Sequence, residues 1–160
     1  MSDIRAAIFD AYAAAARHGV TGAALLAEVP NGYRYLDAYP DVPDVPRQVR
    51  DRGLGTAILS NGEPGMLAEA TRAAGIEALL DFVLSIEAAG VFQPNRRVYR
   101  LAADRLDLAS EQIAFVSSNA WDAFGFRACW LDRVGDPPEY DLRGAVTELS
   151  DLTALPQALP

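Results

Sequence analysis

Three short apolar runs in this sequence end in small polar or acidic residues. Ile8-Phe9 is followed by Asp10, Ile58-Leu59 by Ser60-Asn61-Gly62, and Phe115-Val116 by Ser117-Ser118-Asn119, with Asp122 three residues further on. In a parallel α/β sheet ligands sit beyond the carboxyl ends of the strands, so all of these groups would be delivered to one rim. An aspartate directly after a buried strand has the position of a nucleophilic or metal-binding carboxylate. Ser60, Ser117 and Asn119 would hold that carboxylate, or bind a substrate anion through hydroxyl, amide and backbone N–H groups. Any one of these strand ends reads equally well as a cap on the helix that follows. Three on one rim read as a site.

The elements that must position them alternate between short apolar runs and helical stretches, the mark of an α/β sheet. Strands are expected at Ala6–Phe9, Thr56–Leu59, Phe82–Leu84, Ile113–Val116, Ala128–Leu131 and Ala145–Thr147. Each is a near-continuous apolar run, which suits a parallel sheet covered on both faces. Helices are expected at Asp44–Arg52, with an Asp cap and Pro46 in its first turn, at Glu63–Ala74 and at Asn95–Leu106. The second places Met66, Leu67, Ala70 and Ala74 on one side and stops at Gly75. The third places Val98, Leu101, Ala102 and Leu106 at helical spacing. Between Asp10 and Gly55 the chain runs longer than one crossover helix requires. Residues 13–39 are therefore either a small flap or a long connection, and the plain connection is the simpler reading.

Composition bounds the class. A chain of 160 residues buries about 70% of the surface it would expose unfolded, enough for a single domain with one core. Apolar residues at 51% and charged residues at 22% are too apolar for disorder and ordinary for a globular protein. No apolar run reaches the roughly 18 residues of a membrane span, and Met1–Arg5 shows no signal-peptide pattern. Cys129 is the only cysteine, which rules out an internal disulfide and a thiolate cluster. These features point to the cytoplasm. The net charge of −8, with no basic cluster longer than Arg96-Arg97, argues against nucleic acid. All 14 basic residues are arginine; the chain has no lysine.

Phe9-Asp10-Ala11-Tyr12, Ile58-Leu59-Ser60-Asn61-Gly62 and Phe115-Val116-Ser117-Ser118-Asn119-Ala120-Trp121-Asp122 resemble the successive motifs of the L-2-haloacid dehalogenases, a branch of the haloacid dehalogenase (HAD) superfamily. The Ser-Ser-Asn-Ala-Trp-Asp string is specific to that branch. The resemblance implies a three-layer α/β sandwich with a Rossmann-type parallel sheet. It also implies hydrolytic carbon–halogen cleavage without a metal or other cofactor. By that likeness Asp10 attacks the halogen-bearing carbon of a 2-haloacid, halide leaves with inversion, and water hydrolyses the ester. Ser60 and Asn61 would contact the substrate carboxylate. Ser117, Asn119 and Asp122 would support nucleophile and water, and Tyr99 matches a family tyrosine near an active-site lysine. Tyr12 stands where related phosphatases carry a second aspartate that protonates a leaving oxygen. Halide needs no proton, so Tyr12 fits carbon–halogen chemistry rather than phosphoryl transfer.

Four departures from the family pattern bear on activity. The family's Val-Phe-Lys-Pro reads Val91-Phe92-Gln93-Pro94, so a neutral amide replaces an ammonium. The Gly-Thr after the first motif reads Ala13-Ala14. The helical cap is almost wholly missing, leaving Arg17 and Arg34 as poor substitutes for its arginine. The helix after Asp122 is cut short at Phe124-Gly125-Phe126. A site without its cap is wet, and water screens the charges that speed such a displacement.

Of the remaining candidates, Trp121 lines the rim or packs. Tyr33, Tyr35 and Tyr39 either floor a ligand pocket or, the simpler reading, fill the space left by the cap; His18 and Arg96-Arg97 face solvent, and Cys129 is a buried thiol. Glu87 and Asp81 have no metal-pair spacing. Two functions follow. One is a 2-haloacid dehalogenase-like hydrolase with impaired turnover, acting on a small 2-haloacid or other small carboxylate. The other is a catalytically inactive HAD-like domain that binds a small anion or a protein partner. Apolar surface around an uncapped rim also suggests a homodimer.

Overall fold

The computed structural model describes residues 37–119, 122, 126–135, 142 and 144–159. The expected strand Ala6–Phe9, the segment 13–36, and Asp10, Tyr12, His18 and Trp121 lie outside them. In chain order the elements are α1 (Val45–Asp51), β1 (Ala57–Ser60), α2 (Pro64–Ala73), β2 (Phe82–Ser85), α3 (Arg96–Leu106), β3 (Ala114–Ser117), β4 (Arg127–Leu131), β5 (Thr147–Leu149) and α4 (Leu155–Ala158). Short 3₁₀ turns at Glu77–Leu79, Ile86–Ala88, Ser110–Gln112 and Leu152–Ala154 link them.

Every pairing among the described strands is parallel. β1 lies beside β2 with Ser60 opposite Ser85, β3 beside β4 with Ser117 opposite Trp130, and β4 beside β5 with Leu131 opposite Leu149. The described strands thus group as a pair and a trio, and the parallel α/β sandwich expected from the sequence is borne out. Among the described residues, β1 and β3 each have a partner on one side only.

Alternation along β3 separates two faces. Val116 packs with Cys129, Leu131, Leu149, Val45, Val49 and Leu155, a core shared by β4, β5, α1 and α4. Phe115 faces the other way, against Tyr99 of α3, with ring centroids 5.8 Å apart and nearly perpendicular. Helices therefore cover both faces of this sheet, giving the three layers expected. Phe126 closes the aromatic group, 5.3 Å from Tyr99 and also edge-on. Such edge-to-face pairs fix ring orientation as well as burying area.

Helix ends follow local chemistry. α2 opens with Pro64 and hands over to Gly75 at φ +69°, a left-handed position that glycine takes without strain. Asn95 caps α3, its Oδ1 accepting from Arg97 N at 3.0 Å, and the helix ends on Asp107 at φ 54°. Asp44 does not cap α1. Its own backbone is already helical, so the carboxylate cannot turn back onto the first amides, and it pairs with Arg47 at 2.9 Å instead.

Further differences from the sequence reading have physical causes. The expected strand Ala145–Thr147 is displaced to Thr147–Leu149: Gly144 is left-handed and Ala145 N donates back to Leu142 O, so that stretch is a turn. α2 buries Leu67 and Thr71, whereas Met66, Ala70 and Ala74 are half-buried. Thr71 is tolerated there because its hydroxyl donates to Leu67 O at 2.9 Å. α3 buries Val98 and Ala102 as expected and adds Tyr99; Leu101 and Leu106 are half-buried. Tyr39 fills no core space: it is 59% exposed and lies under Arg133. Arg96 and Arg97 face solvent, and Cys129 is a buried thiol. No helix among the described residues is long and apolar enough to cross a membrane.

Candidate active site

The strands extend one residue further than their apolar runs, so Ser60, Ser85 and Ser117 are the last residues of β1, β2 and β3. A strand's last residue still presents its side chain to the edge while its backbone is held in the ladder. Beyond β3 the chain turns tightly, with Asp122 N donating to Asn119 O at 3.1 Å. That turn returns the Asp122 carboxylate onto the strand end.

Asp122 is only 3% exposed. Its Oδ1 accepts from the Tyr99 hydroxyl at 2.8 Å and its Oδ2 from the Ser117 hydroxyl at 2.7 Å. Ser117 Oγ in turn accepts from Asn119 N at 3.1 Å. Both carboxylate oxygens are thus satisfied, as burial of a charge demands. Burial, and then donation to the Asp122 carboxylate, hold the Tyr99 phenol protonated well above the ordinary tyrosine range. Trp130, opposite Ser117, donates from Nε1 to Ser118 O at 3.2 Å and pins the same turn.

At the other sheet, Ser60 Oγ accepts from Gly62 N at 3.1 Å, and Ser85 Oγ donates to Gly62 O at 2.7 Å. A Cβ on Gly62 would lie 2.7 Å from Leu67 Cδ2, so a larger residue in this turn would have to displace the Leu67 side chain. Asn61 Oδ1 accepts from Gln93 N at 3.2 Å. The Gln93 side-chain Nε2 is buried and meets no acceptor among the described residues.

The segment from Gln93 to Tyr99 therefore spans the two strand ends. It touches the β1 turn through Gln93 and the β3 turn through Tyr99, and so draws both onto one rim. Of the residues singled out from sequence, Tyr99, Ser117 and Asp122 are hydrogen-bonded together, with Asn119 joined through its backbone. Asn61 and Gln93 form a second pair. Ser60 uses its hydroxyl to brace its own turn, the capping role open to it from the start, and the structure does not join it to Asp122. Ser85 and Trp130 were not singled out, although Ser85 follows an apolar run just as Ser60 and Ser117 do.

A small cavity of about 10 Å³, room for a single water, lies among Phe115, Ser117, Asp122, Ala128, Cys129 and Trp130. Burial raises the Cys129 thiol above its ordinary value, with Arg127 and Thr147 opposing. Such a thiol is a weak nucleophile. Among the described residues no three His, Cys, Asp or Glu side chains converge as a metal-ligand set.

Residues 4–129 match the model of the haloacid dehalogenase-like hydrolases. The chain is 40% identical over 134 residues to (S)-2-haloacid dehalogenase 1 of Pseudomonas sp. (strain CBS-3), covering 81% of this chain and 59% of that protein. It is 38% identical over 133 residues to (S)-2-haloacid dehalogenase 4A of Burkholderia cepacia, covering 78% and 58%. It thus spans less than two thirds of the length of these relatives. The fold superposes on a solved L-2-haloacid dehalogenase with a TM-score of 0.82 at 38% identity, covering 92% of this chain and 67% of that one. The Xanthobacter autotrophicus L-2-haloacid dehalogenase with chloropropionic acid covalently bound superposes with a TM-score of 0.79 at 27% identity, covering 92% and 71%. Sequence, fold and strand-end residues converge: the chain belongs to the haloacid dehalogenase-like hydrolases, in the branch of the L-2-haloacid dehalogenases.

Proposed function

We propose that this protein cleaves a carbon–halogen bond in a small 2-haloacid through an aspartyl ester on Asp10, with impaired turnover. The observation that carries this reading is the Tyr99–Asp122–Ser117 hydrogen-bonded group at the end of β3, tied by Gln93 to the turn after β1. In this reading an Asp10 carboxylate oxygen bonds to C2 of the substrate as the carbon–halogen bond breaks. Halide leaves with the electron pair, and water then hydrolyses the ester to a 2-hydroxyacid. Asp122, fixed by two hydroxyl donors, and Ser117 and Asn119 beside it support nucleophile and water. Ser60, Asn61 and Gln93 supply dipoles to the substrate. Tyr12 and Trp121 are assigned to the substrate side by their place in the motifs.

Impairment follows from Gln93. An ammonium beside a carboxylate keeps it ionised and aligned through charge, whereas an amide offers only a hydrogen bond. The same observation favours a second reading, in which the chain is a binding domain without turnover that takes a small anion or a protein partner. Halide release from L-2-chloropropionate at high protein concentration separates them. Release that Asp10→Asn abolishes supports the first. Silence from this chain, with release from Gln93→Lys, locates the defect in the missing charge. Silence from both supports the second.

We assign residues 1–160 to one domain, place the protein in the cytoplasm because one cysteine allows no internal disulfide, and expect a homodimer through the rim. Light scattering that finds a monomer at high micromolar concentration removes the dimer.

A further inference from the structure

Ser85 lies outside the motifs of the site, yet its hydroxyl closes two turns at once. It donates to Gly62 O at 2.7 Å and accepts from Glu87 N at 3.2 Å. Parallel pairing sets it opposite Ser60, so from the end of β2 it reaches the turn after β1 while capping the 3₁₀ turn Ile86–Ala88. Gly62 is held on both sides, its N–H donating to Ser60 Oγ at 3.1 Å and its carbonyl accepting from Ser85. A serine that only capped its own turn would satisfy a local backbone group and nothing beyond it. Ser85 joins two turns that belong to different strands.

Asn61 sits between these anchors. It is exposed, whereas Ser60, Gly62 and Ser85 are half-buried. Its Oδ1 accepts from Gln93 N at 3.2 Å, and Gln93 lies on the chain that leads on from the turn capped by Ser85. One hydroxyl thus relates the Asn61 backbone, through Gly62, to the segment that orients the Asn61 side chain. With Oδ1 turned to Gln93, the donor that Asn61 can offer an anion is Nδ2. Its direction matters, since hydrogen bonds weaken steeply as they bend.

We propose that Ser85 is a positioning residue of the substrate site, aligning Asn61 toward the substrate carboxylate by locking the turn after β1 to the turn after β2. It touches no substrate itself. The inference deepens the function proposed above and rests on it, since Asn61 meets the substrate in that reading. Without the hydroxyl, Asn61 is loosened in ground state and transition state alike. Binding then falls, while the chemical step at Asp10 keeps its rate.

The test titrates the protein with propionate, an unreactive carboxylate of the substrate's shape, by NMR. Chloride release from L-2-chloropropionate is measured in parallel. Ser85→Ala should raise the Kd for propionate about fivefold, the worth of one hydrogen bond, and raise KM by a similar factor at nearly unchanged kcat. Ser85→Cys, a weaker donor of nearly the same shape, should shift both in the same direction and covers the case in which the alanine variant does not fold. Because Ser85 acts through Asn61, adding Ser85→Ala to Asn61→Ala should cost no further affinity. Thr71→Val removes a buried hydroxyl of α2 that donates to Leu67 O, remote from the turn, and should leave affinity unchanged. Wild-type affinity in Ser85→Ala, an equal loss in Thr71→Val, or losses that add in the double variant overturn the proposal. Such a result beside chloride release that Asp10→Asn abolishes leaves the dehalogenase reading standing. The expected losses without chloride release from any variant uphold the positioning role and remove turnover instead. A chain that neither binds propionate nor releases chloride overturns both.

Discussion

Tyr99 shows how one side chain serves both core and rim. Its ring is 4% exposed and held edge-on by Phe115 and Phe126, while its hydroxyl reaches Asp122. Tyr99→Phe keeps the ring packing and removes only the donor, leaving a buried carboxylate oxygen short of one partner. We expect a loss of about 1.5–3 kcal/mol in urea unfolding, the range for a hydrogen bond to a charged group. The phenol has its own pH signature. Its proton is held above the ordinary value of about 10, so its contribution is fully present below that pH and is lost as pH rises through the folded-state value. The stability difference between this chain and Tyr99→Phe should therefore be flat from pH 6 to 9 and narrow above pH 10. A difference that grows with pH would contradict the assignment. Asp107 offers the converse case. Its φ of 54° ends α3 in a conformation that favours glycine, so Asp107→Gly should stabilise by about 0.5–1 kcal/mol in the same assay.

Among the elements, the segment before α1 is tied to the chain just after β4 and β5 by one carboxylate. Asp41 Oδ2 accepts from Arg133 at 2.9 Å and from Leu152 N at 2.7 Å, and the Arg133 guanidinium stacks 4.1 Å from the Tyr39 ring centroid. With Arg133 18% and Asp41 10% exposed, this pair is shielded where most surface pairs are not. Burial alone would raise the Asp41 carboxyl; the Leu152 N–H and Arg133 outweigh it and hold the group below its usual range. A depressed carboxyl stabilises above the unfolded value near 4 and loses that contribution as pH falls through the folded one. Asp41→Asn should cost about 1–3 kcal/mol at pH 7, and the deficit should shrink below pH 4 in parallel denaturation series. None of this was legible in the sequence, because Asp41, Arg133 and Leu152 are far apart in the chain and share no motif. What was legible came from local pattern. Apolar runs located β1 to β4 within a residue, and Gly75 marked the end of α2. β5 escaped because its run is short and interrupted by Glu148, so the apolar Ala145–Thr147 looked the better strand although Gly144 turns the chain there. Ser117 and Asp122 were visible through their motif. Their link to Tyr99 needed the structure, since helical spacing says only which face Tyr99 occupies and not what its hydroxyl meets.

For the molecule as a whole, charge decides which ligands arrive. A net charge of −8 on 160 residues sets up a repulsive field for small anions that is felt over a Debye length. That length falls from about 30 Å at 0.01 M salt to about 8 Å at 0.15 M. Long-range repulsion should therefore fade over this interval while contacts inside the site persist, since buried or partly buried groups are screened much less. For propionate, apparent affinity should rise about twofold across this range. For propionamide it should stay constant, because a neutral ligand does not feel the field. The comparison also separates two origins of any preference for the amide. If the preference disappears at 0.15 M, it belongs to the charge of the whole chain. If it persists there and is removed only by Gln93→Lys, it belongs to the neutral donor between β1 and α3. Nε2 of Gln93 is buried and has no acceptor among the described residues, and a contribution from such a buried group is screened little by salt, so a preference that rests on it should survive at 0.15 M.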